Sequence, residues 1–250
     1  YGKVFIAIKP SSGSVLSNAT KAWVQDTVLS KRNVVGVTPE VKDPDYLYLK
    51  VDSTVKYDSG MTTNSATILK STVTSTIVDY GLTQLKDFDK AFRYSNLIKK
   101  IDESEISVKS NQTSVSIKRY MYPLLGSSSS YTLKFSNEVY HPSNTFWGSV
   151  TSEDFSYNDT ANTLWTGCRL QDSNGTIQVY RTSGLNRILV DNDVGTVTYG
   201  SGKVALGGFA PVAIGSASTG NTTALSVYIT PSSSDVLPLR EQIILIEDDD

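Results

Sequence analysis

Val194-Gly195-Thr196-Val197-Thr198-Tyr199-Gly200-Ser201-Gly202-Lys203-Val204-Ala205-Leu206 is the stretch from which the fold of this chain is best read. Apolar-leaning and polar residues alternate on both sides of Gly200-Ser201-Gly202, which predicts two strands joined by a tight turn. A further strand is expected at residues 224–230, followed by Pro231, Asp235, Arg240 and a last apolar run at 243–246. The glycines match neither a Walker nor a dinucleotide-binding loop, and no helix follows to offer its N-terminus to a phosphate. They read as positive-φ turns.

The same texture extends back to Tyr131. Short β-leaning runs are separated by Asn174-Gly175, Ser183-Gly184, Ser201-Gly202 and Gly207-Gly208. Asn-Gly takes the positive φ of hairpin turns, so residues 171–180 are expected to form a hairpin around Asp172-Ser173-Asn174-Gly175. Ser127 to Ser130 reads as a surface loop. Residues 123–250 are therefore expected to be a β-rich domain of hairpins, entered through a linker at 123–130.

Upstream the period changes. An apolar run at residues 4–8 ends at Pro10. A helix follows that Ser17 or Asn18 can cap, with Leu16, Ala19, Trp23, Val24, Thr27 and Val28 as its apolar face. After residues 34–41 and Pro44, alternation over 46–57 predicts a half-exposed strand. Helical spacing resumes at 64–80, with Gly81 placed to end it. A second helix is expected at 87–100, and strands at 106–109 and 115–120. This β-α-β-β-α(α)-β order predicts a ferredoxin-like α/β sandwich over residues 1–122, and an α+β fold for the whole chain.

Composition narrows the function. The 250 residues carry net charge −2, 39% hydrophobic and 19% charged residues. That balance lacks the attraction to phosphate on which non-specific nucleic-acid binding rests. No run approaches a membrane span. The chain starts at Tyr1 inside a predicted strand, without an initiator Met, and reads as a fragment. The one cysteine, Cys168, has no disulfide partner in the chain and reads as a small buried residue. Sequons at Asn18, Asn111, Asn158, Asn174 and Asn221 are unsurprising in a chain so rich in Ser and Thr.

The residues offer little for catalysis. Nucleophilic chemistry needs a positioned base, and the one histidine, His141, sits before Pro142 in a loop-like region with no Gly-x-Ser-x-Gly elbow. One histidine and one cysteine exclude the usual zinc sites. Asp191-Asn192-Asp193 before Gly195 lacks the further ligands of a calcium loop and reads as a polar turn. No motif singles out a carboxylate pair of the glycosidase kind. No enzyme activity, metal, cofactor or small-molecule substrate is expected.

The ordered set Gly-Thr-Val-x-Tyr-x-x-Gly-x-Val, strand-Pro, Ser-x-Asp-Val-x-Pro-x-Arg and Ile-Leu-Ile-Glu resembles the C-terminal end of the Baseplate J-like family, wedge proteins of contractile phage tails and related injection machines. Gly2 to Pro10, Val37-Thr-Pro-Glu-Val-Lys-Asp-Pro44 and Phe92-Arg93-Tyr94-Ser95-Asn96-Leu97-Ile98 before Ile101-Asp102 resemble T4-type wedge proteins as well. Residues 126–166 match least. The resemblance implies a structural virion protein of the tail baseplate, assembled in the bacterial host cytoplasm. It implies a homodimer that joins wedges, with other wedge subunits docked on it, into a ring around the hub that stays intact as the baseplate rearranges and the sheath contracts. Gly195, Tyr199, Gly202, Val204, Pro231, Asp235 and Arg240 match the family pattern and are assigned to turns and packing, with Asp235 and Arg240 a candidate pair.

An assembly protein needs broad interfaces, which favour aromatic anchors. Tyr140, Phe146, Trp147, Phe155 and Trp165 are the candidate subunit interface, in a loop-rich stretch that also holds His141 and Tyr157. The alternative is a carbohydrate-binding or carbohydrate-active β-domain protein, which a deep cleft lined by a carboxylate pair and aromatics would favour.

Overall fold

The computed structural model describes residues 2–11, 13, 15–32, 36–215 and 223–247. Tyr1, residues 33–35 at the start of the expected 34–41 strand, the Asn221 sequon and the last three aspartates lie outside them.

The first unit is a βαβ crossover. Strand β1 (Gly2–Ala7) pairs in parallel with β2 (Val37–Lys42), in a two-stranded sheet of their own. The helix between them, α1 (Asn18–Trp23), continues into a π-helical turn at Val24–Leu29. Ser17 caps it, its hydroxyl accepting the Thr20 N–H at 3.1 Å. The expected apolar face divides: Leu16, Val24 and Val28 are half-buried, whereas Ala19, Trp23 and Thr27 are exposed. Two strands are too narrow to cover the full stripe of a helix.

The second sheet has twelve strands. Its longest ladder joins β3 (Asp45–Tyr57) and β4 (Val108–Met121) near one end of the sheet, antiparallel from Tyr48↔Lys118 to Tyr57↔Val108. Between them lie α2 (Ala66–Tyr80), a π-helical continuation at Gly81–Leu85, and α3 (Tyr94–Asp102). Ser65 caps α2, and the hydroxyls of Thr72 and Thr76 donate to carbonyls one turn back, so this Thr-rich helix satisfies its own side chains. Gly81 does not end the helix. A Cβ there would lie 3.3 Å from the Ile246 side chain, so its smallness lets the helix settle on the last strand.

The remaining strands are β5 (Ser129–Lys134), β6 (Trp147–Ser152), β7 (Phe155–Asn158), β8 (Leu164–Ser173), β9 (Thr176–Ser183), β10 (Asn186–Thr198), β11 (Lys203–Phe209), β12 (Pro211–Ile214), β13 (Leu225–Ile229) and β14 (Gln242–Ile246). The order is β14-β3-β4-β13-β6-β8-β9-β10-β11-β5, with β7 pairing β8 and β12. Among the described residues, only β14 on β3 is parallel in this sheet; its other pairings are antiparallel.

Two expectations change here. The helix–strand order is as read, but the strands do not join into a ferredoxin-like sheet. The edge of β3 that β2 would need is taken by β14, from the far end of the chain. The sheet also runs straight through the expected boundary at 122/123, because β13 pairs β4 on one side and β6 on the other. The linker expected at 123–130 already enters β5 at Ser129. One core follows the sheet across both halves, from Leu47, Leu97 and Ile117 to Leu170, Val204 and Phe209.

Candidate interaction surface

The opening stretch forms the hairpin β10–β11, with Gly195 opposite Leu206 and Thr198 opposite Lys203. Tyr199–Ser201 is a single 3₁₀ turn closed by Gly202 at φ +60°. Its two pattern glycines are fixed by close approach. A Cβ at Gly195 would stand 2.2 Å from the Ala205 carbonyl oxygen, and one at Gly202 would stand 2.2 Å from that of Asn137. Val204 is fully buried, and Pro231 bridges Val139.

Tyr199 does more than pack. Its hydroxyl donates to Asp172 Oδ2 at 2.9 Å and accepts the Gly175 N–H at 3.0 Å, while its ring stacks on His141 at 3.8 Å between centroids. Burial, with the hydrogen bond to Asp172, pushes the phenol up to about 12. Asp172, read from sequence as part of a turn, is fully buried and also accepts the Gly148 and Val150 N–H groups. Three donors around one carboxylate make this a structural junction of β6, β8 and the β10–β11 turn rather than a reactive group. His141 lies against this junction, and its Nδ1 has no hydrogen-bond partner among the described residues.

The five candidate interface residues separate. Phe155 is core, 1% exposed, packed edge-on against Tyr157 and Phe209. Phe155 and Tyr157 alternate with polar residues along β7, and both face inward. Tyr140 and Phe146 form an edge-to-face pair at 5.3 Å. Trp165 is half-buried, donating its Nε1–H to Asp159 Oδ2 at 3.0 Å beneath the Arg181 guanidinium. Trp147 is 57% exposed, with the Arg187 guanidinium over its ring and over that of Tyr180. Trp147 pairs with Ser173, eight residues along β8 from Trp165, a separation of about 26 Å. The two tryptophans do not share a patch.

Sequence reading missed the hairpin whose Arg187 covers Trp147. The β9–β10 hairpin carries Leu185 at its tip, fully exposed, and Leu189, about half exposed. Arg187 of this hairpin brings the rings of Tyr180, on β9, and Trp147, on β6, together under one guanidinium, and Trp, Tyr and Arg are the residue types that anchor interfaces. The missed signal was Ser183-Gly184-Leu185-Asn186, a turn with an apolar residue at its tip.

Asp191-Asn192-Asp193 is not a turn. It lies inside β10 where the register to β9 slips, and Asp191 accepts the Tyr157 hydroxyl. Cys168 is buried, and burial pushes its thiol up to about 11. Asp235 pairs with Arg93 rather than Arg240, and it accepts the Tyr94 N–H that opens α3. That helix starts at Tyr94 and not at residue 87, because Phe92 is drawn into a bridge with Val236.

A cleft of about 800 Å³ lies where the βαβ unit meets the large sheet, lined by Phe5, Phe88, Asp43, Asp45 and Arg240 among others. Two of its carboxylates, Asp43 and Asp45, are held as anions. The hydrogen bond from Lys21 keeps Asp43 below its ordinary range. Burial would raise Asp45, but the Arg119 fork outweighs it and lowers it. Neither Asp43 nor Asp45 is poised to give up a proton, as the general acid of a glycosidase must.

Two family models match the chain. Residues 1–42 match that of the baseplate structural protein gp6, C-terminal domain I, and residues 45–120 match that of C-terminal domain III of the same protein. The baseplate wedge protein gp6 of Enterobacteria phage T4 is 25% identical to this chain over 162 residues, covering 63% of the chain and 23% of the phage protein. The chain therefore spans about a quarter of that relative's length, and is similar to its C-terminal part.

Proposed function

We propose that this chain is the C-terminal part of a contractile-tail baseplate wedge protein, a non-catalytic structural subunit of the virion. The observation that carries the reading is a coincidence of boundaries. The two family matches meet at residues 42 and 45, where the two-stranded sheet ends and the large sheet begins. Two domain matches, in order and on separate folding units, are harder to obtain by chance than one match of the same length.

In this reading the chain is a Baseplate J-like wedge subunit that forms a homodimer, docks other wedge subunits and joins wedges into a ring around the hub. The fold suits mechanical load. β13 and β14 bring the end of the chain back into the sheet of the first half, so pulling on either half loads a continuous hydrogen-bonded ladder. Mass spectrometry of purified contractile tails from the source of the gene tests the proposal. The chain should co-purify with baseplate components in fixed stoichiometry. Its absence from particles that are otherwise complete would sink the idea.

A further inference from the structure

The outer edge of β3 is only half used. β14 covers it over Asp45–Leu49, and the ladder ends where the Glu247 N–H reaches the Leu49 carbonyl at 3.2 Å. Beyond that point β3 has β4 on one side and, among the described residues, no strand on the other. Beside the open edge is a cavity of about 410 Å³ lined chiefly by Val51, Val55, Tyr57, Leu69, Val73 and Ile77. An unpaired edge next to an apolar groove is a template for another strand.

We propose that the occupant is the same edge of a second copy, paired antiparallel about a two-fold axis through Thr54; this rests on the homodimer reading above and assigns its surface. The choice of register comes from charge. A two-fold axis normal to the sheet sets inward residues opposite inward residues, so only alternate registers are open. Centred on Ser53, Lys50 would meet Lys56. Centred on Val55, Asp52 would meet Asp58, and centred on Asp52, that carboxylate would meet its own copy. Centred on Thr54, Asp52 meets Lys56 twice, and no like charges oppose each other.

The same register fits the groove. The inward positions become Val51 opposite Tyr57 and Ser53 opposite Val55, each twice, so each partner's Tyr57 ring lies over the groove between β3 and α2. Tyr57 is 39% exposed in the single chain. Seven residues, 51–57, take part; Lys50, just past the end of the β14 ladder, has its ammonium 3.7 Å from Asp52 in the single chain, and the Asp52 side chain is 61% exposed and open to a second cation. Lysines on an edge strand ordinarily discourage pairing. Here Lys56 has an acid opposite it.

Sedimentation equilibrium of the chain and of charge variants tests this. Lys56→Asp places like charges opposite Asp52 twice and is expected to raise the dimer dissociation constant about tenfold or more. The swap Asp52→Lys with Lys56→Asp should return it to within about threefold. Thr54→Cys sets the two thiols across the axis, with Cα atoms about 4.5–5.5 Å apart, inside the disulfide range. Mild oxidation should then give a covalent dimer, while the parent chain, whose Cys168 is buried, gives none. Circular dichroism melts confirm that each variant folds. A dimer that ignores the charge series and does not cross-link through Thr54→Cys overturns this interface and leaves the homodimer reading standing. A chain that stays monomeric at every concentration, with no cross-link, overturns both. The tail-particle measurement tests the wedge reading separately.

Discussion

The Asp235 carboxylate caps a helix that begins 141 residues earlier in the chain: it accepts the Tyr94 N–H at 2.9 Å, and its second oxygen takes the Arg93 guanidinium at 2.8 Å. Arg93, in the N-cap position of α3, makes no side-chain cap bond, so the cap is supplied by the segment between β13 and β14. A helix end, the sheet and the C-terminal segment are tied at one carboxylate.

Asp235→Ala should therefore cost about 1 kcal/mol, the usual worth of a lost cap, read as a fall in the denaturant midpoint at unchanged slope. Asp235→Asn keeps an acceptor and should lose less. The Arg93 hydrogen bond, then the Tyr94 N–H, hold this carboxyl below its ordinary range. Since the folded-state value is depressed, the contribution is present above the unfolded value near 4 and disappears as pH falls through the folded one. Both side chains are more than a third exposed, so the ion pair itself adds little and should weaken in salt.

Tyr199→Phe removes a donor from buried Asp172 and an acceptor from Gly175. The expected cost is about 1–3 kcal/mol, with a melting temperature lower by roughly 2–4 °C for each kcal/mol in a chain of this size. The alkaline limb carries a second signature. With the folded-state phenol raised to about 12, its contribution is intact below the unfolded value near 10 and is lost as pH rises toward 12. Ultraviolet titration of the parent should show late-ionising tyrosines, and Tyr199→Phe should remove one of them.

Phe155 and Trp147, grouped together by sequence, should part on substitution. Phe155→Ala opens a cavity in the Tyr157–Phe209 cluster and should cost about 3–5 kcal/mol. Trp147→Ala acts on an exposed ring and should change stability by no more than about 0.5 kcal/mol. If Trp147 anchors a subunit contact, Trp147→Ala will weaken assembly onto the baseplate with the melt unchanged. Loss of the fold instead would show that it belongs to the core.

These cases show what was legible. The β10–β11 hairpin and the Asn174-Gly175 turn were readable because turn chemistry and alternation act over a few neighbouring residues. The separate sheets were not, since the residue that excludes β2 from β3 is no neighbour: β14 lies nearly 200 positions away. Phe155 was misread because alternation in β7 spans four residues, too few to tell an inward face from a loop rich in aromatics. Asp172 looked like a turn residue because its donors are distant in sequence: Gly148 and Val150 on β6, and Tyr199 in the turn after β10.

The last tie between the halves is ionic. Lys118, near the end of β4, has a side chain only 4% exposed and is paired with Glu247 just beyond β14; the Tyr120 hydroxyl donates to the other oxygen of that carboxylate. Burial alone would lower the lysine, but the bond to Glu247 and the surrounding tyrosines outweigh it, and its affinity for the proton is raised. A buried pair is costly to break and cheap to replace. Lys118→Met should therefore destabilise the chain by about 3–5 kcal/mol, because the largely buried Glu247 carboxyl loses its cationic partner. Lys118→Met with Glu247→Leu should recover most of that loss. Glu247→Gln alone should loosen the end of β14, seen as faster hydrogen exchange across residues 242–246 with little change at β9. If the single and double variants melt together, the pair does not hold the strand, and the Gly81–Ile246 contact does so without it.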